Sequence, residues 1–182
     1  MRIVAGQYKG MIIPLPKGGT IRPTTDRAKE ALFSILTSRI NFENTSVCDL
    51  FSGSGNMAFE FASRGVESVI AVEKNRRVLD QAKTFAINKN INEVTFISSD
   101  AFRYLNQSDN QFDIIFADPP YNLKTISEIP NIVKRNNLLK PEGLLIIEHE
   151  SNLSWNDEAL IESRNYGQSV FSIFQFPVSL EK

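Results

Sequence analysis

A doubly wound α/β fold with a mostly parallel sheet is what this 182-residue sequence predicts. Three observations carry it. From Ser46 onward, short apolar segments alternate with helical ones. Those segments are near-continuous hydrophobic runs, as in strands covered on both faces. The length suits one domain with one sizeable core, and a hydrophobic fraction of 42% excludes wholesale disorder.

Taken in order, residues 2–6 (RIVAG) and 11–16 (MIIPLP) read as two short strands joined by a turn around Lys9-Gly10. A Gly/Pro-rich connector leads into a helix over Thr25–Arg39. Thr24 or Thr25 can cap it, Asp26 suits its first turn, and Ala28, Ala31, Leu32, Ile35, Leu36 and Ile40 recur on one face. Strands follow at 46–51, 68–73, 94–98, 112–117 and 143–148, with helices at 56–64, 75–90, 101–106 and 125–136. Gly65 stops the first of these helices, and Val78, Leu79, Ala82, Phe85 and Ala86 mark the buried face of the second. Apolar stretches near Tyr166 and at 170–176 close the chain. Alternation in the last breaks at Phe174, which leaves its register open.

Composition narrows the function classes. No hydrophobic run exceeds four residues, against the roughly 20 of a membrane span, and the N-terminus has no apolar signal core. One Cys and one His argue against a disulfide framework and a zinc site, so no metal is expected and the expected location is the cytoplasm. The net charge of −1 divides unevenly. Residues 1–40 hold seven basic and two acidic side chains, while residues 41–182 hold 13 basic and 19 acidic. The division predicts a basic extension over 1–40 that faces a polyanion and a main domain over 41–182.

Acids cluster where an open α/β sheet binds its ligand, beyond the carboxyl ends of the strands: Asp49, Glu73, Asp100, Asp118 and Glu148. The first strand runs into Asp49-Leu50-Phe51-Ser52-Gly53-Ser54-Gly55-Asn56, whose glycines permit a tight turn and close backbone approach to a ligand. The sharper signal is Asp118-Pro119-Pro120-Tyr121 after the fourth strand. Successive prolines stiffen the backbone and leave carbonyls that only accept; a carboxylate and an aromatic ring stand beside them. That set suits the exocyclic amine of a flat nucleobase.

These segments resemble a known family. DLFSGSGNMAFEFASRG (49–65), Glu73, Ser99-Asp100-Ala101 and FADPPY (116–121) are similar to the motifs of class I S-adenosylmethionine-dependent methyltransferases that act on amines. RIVAGQYKG (2–10) and RPTTDRAKEALFSIL (22–36) resemble one branch, the RsmD-like guanine-N2 methyltransferases of small-subunit ribosomal RNA; Ala58 stands where many relatives carry a further glycine. The resemblance implies a seven-stranded Rossmann-like sheet with an N-terminal hairpin and helix. It implies S-adenosylmethionine as cofactor, with Asp49, Phe51, Ser52, Gly53, Gly55 and Asn56 around the methionyl end. Glu73 and Lys74 would lie at the ribose, and Asp100 and Ala101 at the adenine. Asp118, Pro119, Pro120 and Tyr121 would form the catalytic set: Asp118 and the Pro119 carbonyl accept from the amine, and Tyr121 stacks on the base. Arg2, Lys9, Arg22, Thr24 and Arg27 would meet the RNA, and Lys17 and Lys29 join them as phosphate-neutralising charges. The implied partner is small-subunit ribosomal RNA or the assembling subunit, met by a monomer.

Rival readings explain less. A DNA adenine-N6 enzyme shares Asp-Pro-Pro-Tyr but needs a target-recognition domain for which 182 residues leave no room. A nicotinamide-dependent oxidoreductase accounts for the glycine loop and leaves Asp118–Tyr121 unexplained, and an inactive binding module has no use for the acids. Cys48 lies inside a strand as a core residue rather than a nucleophile, and His149 reads as a polar residue near the sheet edge.

Overall fold

The computed structural model describes residues 1–15, 24–167 and 169–177. Its sheet contains β1 (Ser46–Leu50), β2 (Ser68–Glu73), β3 (Val94–Ser98), β4 (Phe112–Ala117), β5 (Leu139–His149), β6 (Leu160–Tyr166) and β7 (Ser169–Phe174). The spatial order is β3-β2-β1-β4-β5-β7-β6. The first five strands of the chain pair in parallel, and β7 joins β5 and β6 antiparallel. The chain therefore reverses direction across the sheet between β1 and β4, the place where such sheets open a crevice.

Helices cover both faces: α1 (Asp26–Thr37), α2 (Asn56–Ser63), α3 (Arg76–Lys89), α4 (Ala101–Gln107) and α5 (Ile129–Arg135). One core joins Leu32, Phe33 and Leu36 of α1 and Phe59 and Phe61 of α2 to Val47, Ile114, Phe116 and Ile146 of the sheet, and it also takes in Ile3 and Ile13. The opposite core joins Leu105 of α4 and Ile132 and Val133 of α5 to Cys48, Ile115, Leu145 and Ile147. Cys48 is a buried packing residue, and apolar surroundings push its thiol up.

Several expectations need correction. Among the described residues, the opening segment forms no strands but a compact turn with a single antiparallel bridge, Arg2–Ile12, because Gly6 and Gly10 bend the chain at positive φ; Pro16, the end of the second expected strand, lies outside them. The helix expected over 125–136 is divided into a 3-10 turn, Ile126–Glu128, and α5, since Pro130 fits only a first helical turn. β5 starts four residues earlier than its apolar run, passing through Pro141 and a left-handed Glu142 where the register against β4 slips. β7 is buried at every position because it lies between two strands and under both cores, which is why its alternation failed. His149 is not near an edge. It is buried within β5; its Nε2 accepts from the Trp155 indole at 3.2 Å and its Nδ1 faces the Glu150 carbonyl at 2.7 Å. Burial holds its pKa below the ordinary value, so the ring is neutral. Among the described residues, no helix is long and apolar enough to cross a membrane.

Candidate active site

A cavity of about 440 Å³ opens at the carboxyl ends of β1, β2 and β4. Its size is that of a small-molecule site. One wall is the loop between β1 and α2. Phe51, Gly53 and Gly55 all have positive φ (58°, 53° and 80°), a conformation that a bulky residue such as Phe adopts only under strain. The loop is held by the Ser52 N–H donating to Val72 (3.0 Å) and the Gly55 N–H donating to Ser52 (2.8 Å). A Cβ on Gly55 would stand 2.7 Å from the Phe59 ring, so glycine is required there by space as well as by φ.

Glu73 ends β2 and is fixed at both oxygens: the Gly53 N–H donates to Oε2 at 3.0 Å and the Asn75 N–H to Oε1 at 2.7 Å. The loop and the carboxylate are thus one unit. Asp49 is not at a strand end but within β1, buried, with Oδ2 accepting from the Ala58 N–H at 2.9 Å. Burial is the main cause that pushes its carboxyl up to about 8, the Ala58 bond working against this and the Glu73 charge with it. Lys74, Asn56 and Ala101 also line the cavity.

Asp118, Pro119, Pro120 and Tyr121 form the facing wall, so the two motifs of the sequence meet across one space. Burial, Glu148 and Asp49 together hold the Asp118 carboxyl well above the usual range. Tyr121 is 38% exposed at the rim. Asp100 points elsewhere: it caps α4, Oδ1 accepting from Phe102 (3.0 Å) and Arg103 (3.1 Å), while its neighbours Ser99 and Ala101 reach the cavity. Among the cavity residues that sequence reading missed are Met57, Val72, Val78 and Phe116. They are apolar members of predicted elements, and their period marks them only as core.

The basic residues divide. Lys9 and Arg27 are exposed, and Arg2 is exposed while pairing with Asp26 at 2.7 Å. Arg22 and Lys17 lie outside the described residues. Thr24 is buried and lines the cavity, its hydroxyl donating to Glu148 at 2.6 Å. Lys29 is no phosphate contact. It is 1% exposed, and its ammonium donates to the Arg2 carbonyl (2.6 Å), Asn56 Oδ1 (3.1 Å) and Glu60 Oε2 (3.0 Å). A charge so enclosed persists only with partners of this kind.

A wall with three carboxyl groups (Asp49, Glu73, Asp118), one ammonium (Lys74) and apolar floors suits a cationic ligand rich in donors, whose charge favours the ionised carboxylates, better than a pyrophosphate. The Ser52 hydroxyl, buried against this space without a partner among the described residues, offers it another polar contact.

Comparison with known proteins agrees with the motifs. A family model described as conserved hypothetical protein 95 matches residues 1–175. The chain is 32% identical to the ribosomal RNA small subunit methyltransferase D of Haemophilus influenzae, covering 91% of this chain and 84% of that protein. This chain belongs to the RsmD-like family. Another relative, an uncharacterized methylase of Rickettsia prowazekii, is 31% identical over 97% of this chain and 98% of its own length. Among solved structures, Escherichia coli yhhF, assigned as a methyltransferase, superposes with a TM-score of 0.84 at 28% identity, covering 96% of this chain and 97% of that one. The RsmD-like chain has the mostly parallel seven-stranded sheet that the resemblance implied.

Proposed function

We propose that this RsmD-like protein transfers a methyl group from S-adenosylmethionine to the exocyclic N2 amine of a guanine in small-subunit ribosomal RNA. The observation that carries the proposal is the single cavity shared by the glycine loop with its anchored Glu73 and by Asp118–Tyr121. The ribosomal RNA methyltransferase among its relatives supports the class of substrate.

When bound, the cofactor supplies an electrophilic methyl group on a cationic sulfur. Asp49 and the backbone of residues 51–56 surround its methionyl end, and Glu73 accepts from its ribose hydroxyls. Ser99 and Ala101 border the adenine. The guanine amine is a poor nucleophile because its lone pair is delocalised into the ring. Asp118 and the Pro119 carbonyl accept its hydrogens and so turn the lone pair toward the methyl group, while Tyr121 stacks on the base. Acceleration comes from positioning and fixed charge. A base paired in a helix cannot enter this cavity, so the target is looped or flipped out.

The test is incubation with labelled S-adenosylmethionine and small subunits from a strain lacking the enzyme, followed by mass spectrometry of the nucleosides. N2-methylguanosine is expected; label on adenine, or none, overturns the assignment. Asp118→Ala is expected to lower transfer by about 10²–10⁴-fold with cofactor affinity retained in calorimetry.

A further inference from the structure

Glu148 is a carboxylate to which methyl transfer as described gives no task. It is 2% exposed, on the sheet face of Phe116 and Ile146, and it follows Ile147, whose partner Ala117 immediately precedes Asp118. Neighbouring strands stand about 4.8 Å apart, so Glu148 lies beside Asp118, while Asp49 on the other side pairs with Phe116, two positions before Asp118. A buried carboxylate in such company needs donors to hold it in place. Thr24 provides one at 2.6 Å, from 124 positions away in the chain. Thr25, whose hydroxyl accepts from the Ala28 N–H, caps α1 and leaves Thr24 for this contact.

Resting on the methyl-transfer reading above, we propose that Thr24 and Glu148 are positioning residues: Thr24 pins the Glu148 carboxylate against Asp118, and that adjacent negative charge makes Asp118 a stronger acceptor of the proton the amine gives up. In the step itself the nitrogen lone pair bonds to the methyl carbon. The carbon–sulfur bond breaks with its electron pair staying on sulfur, and one N–H proton passes to the Asp118 carboxylate. Glu148 is not among the residues that line the cavity, so it acts through Asp118. The other groups around Asp118 do not substitute for it. Asp49 adds a further carboxyl from β1, itself raised to about 8, and Glu73 and Lys74 stand at the β2 end of the cavity. Lys29 of α1 and Glu60 of α2 are engaged with each other, Tyr121 stands in the same loop, and His149 is neutral on the opposite face. The raised Asp118 carboxyl agrees with this arrangement.

Two measurements test the proposal on the full chain carrying Thr24→Val, Thr24→Ser or Glu148→Gln. Carboxyl-¹³C NMR titration of Asp118 in the free protein is expected to show a value lower by about one unit or more in Glu148→Gln. A smaller shift in the same direction is expected in Thr24→Val, and recovery in Thr24→Ser. In kcat–pH profiles the acid limb moves down in parallel, with kcat reduced about tenfold in Glu148→Gln and KM values for cofactor and RNA within about twofold. An Asp118 titration unchanged in Thr24→Val and Glu148→Gln overturns the pinning. A shifted titration with an unshifted kcat profile overturns its role in transfer. Absence of methyl transfer to guanine by the unaltered protein defeats the underlying reading instead, and the NMR arm still decides the contact.

Discussion

Burial gives the Asp49 carboxyl a pH signature of its own. Its folded value is about 8 against an ordinary 3.8, so the native state binds a proton that the unfolded chain releases at lower pH. The sign follows from linkage: this contribution is fully present below about pH 4 and is lost as pH rises to about 8, at a slope of up to about 1.4 kcal/mol per unit. Urea unfolding of the ligand-free protein is expected to show stability falling across pH 5–8, less so in Asp49→Asn. A cation bound beside Asp49 favours its ionised form. Cofactor binding at pH 7 is therefore expected to release protons, seen as a binding enthalpy that changes with the ionisation enthalpy of the buffer. An enthalpy independent of buffer would show that Asp49 does not feel the ligand's charge.

Between elements, Glu60 of α2 is the junction. Its two oxygens receive the Val4 and Ala5 N–H groups, the Lys29 ammonium of α1 and the Arg64 guanidinium. Lys29→Ala leaves this buried carboxylate short of a charge and Asn56 short of a donor, and is expected to cost about 3 kcal/mol in denaturant unfolding. A loss below about 1 kcal/mol would mean that Arg64 and the amides suffice. The sequence hid this junction because a lysine within a basic segment looks solvated, and nothing local tells of a glutamate 31 positions away. What was legible had a local cause. β1 to β4 were readable to within a residue because strands covered on both faces are unbroken apolar runs. The cavity motifs were readable because glycine, proline and acids at strand ends constrain the chain wherever they occur. β6, with Ser163, Arg164 and Asn165 exposed at an edge, has no such run. Thr24–Glu148 and His149–Trp155 are products of packing, and residue type alone does not reveal them.

For the whole molecule, charge by segment needs the structure to be counted properly. With Lys29 enclosed and Arg2 paired to Asp26, the exposed positive charge described on the head is chiefly that of Lys9 and Arg27. If these meet phosphates, Lys9→Glu combined with Arg27→Glu weakens RNA binding and lowers the slope of log affinity against log salt by about 1 for each phosphate no longer neutralised. An unchanged slope in filter binding from about 50 to 200 mM salt would place the RNA path on another face.

The shared core has a consequence for how this protein is inherited and engineered. Ile3, Ile13, Leu32 and Phe33 belong to the same packed cluster as Val47 and Phe116 of the sheet, so the N-terminal head also closes the interior. It is not a detachable module. Cutting it away would strip one layer from the sheet and let water into the fold, and a transplanted head would have to bring a matching interior surface with it. Substitutions on the head's outer side leave this packing intact, whereas those on its inner side disturb the core of the sheet.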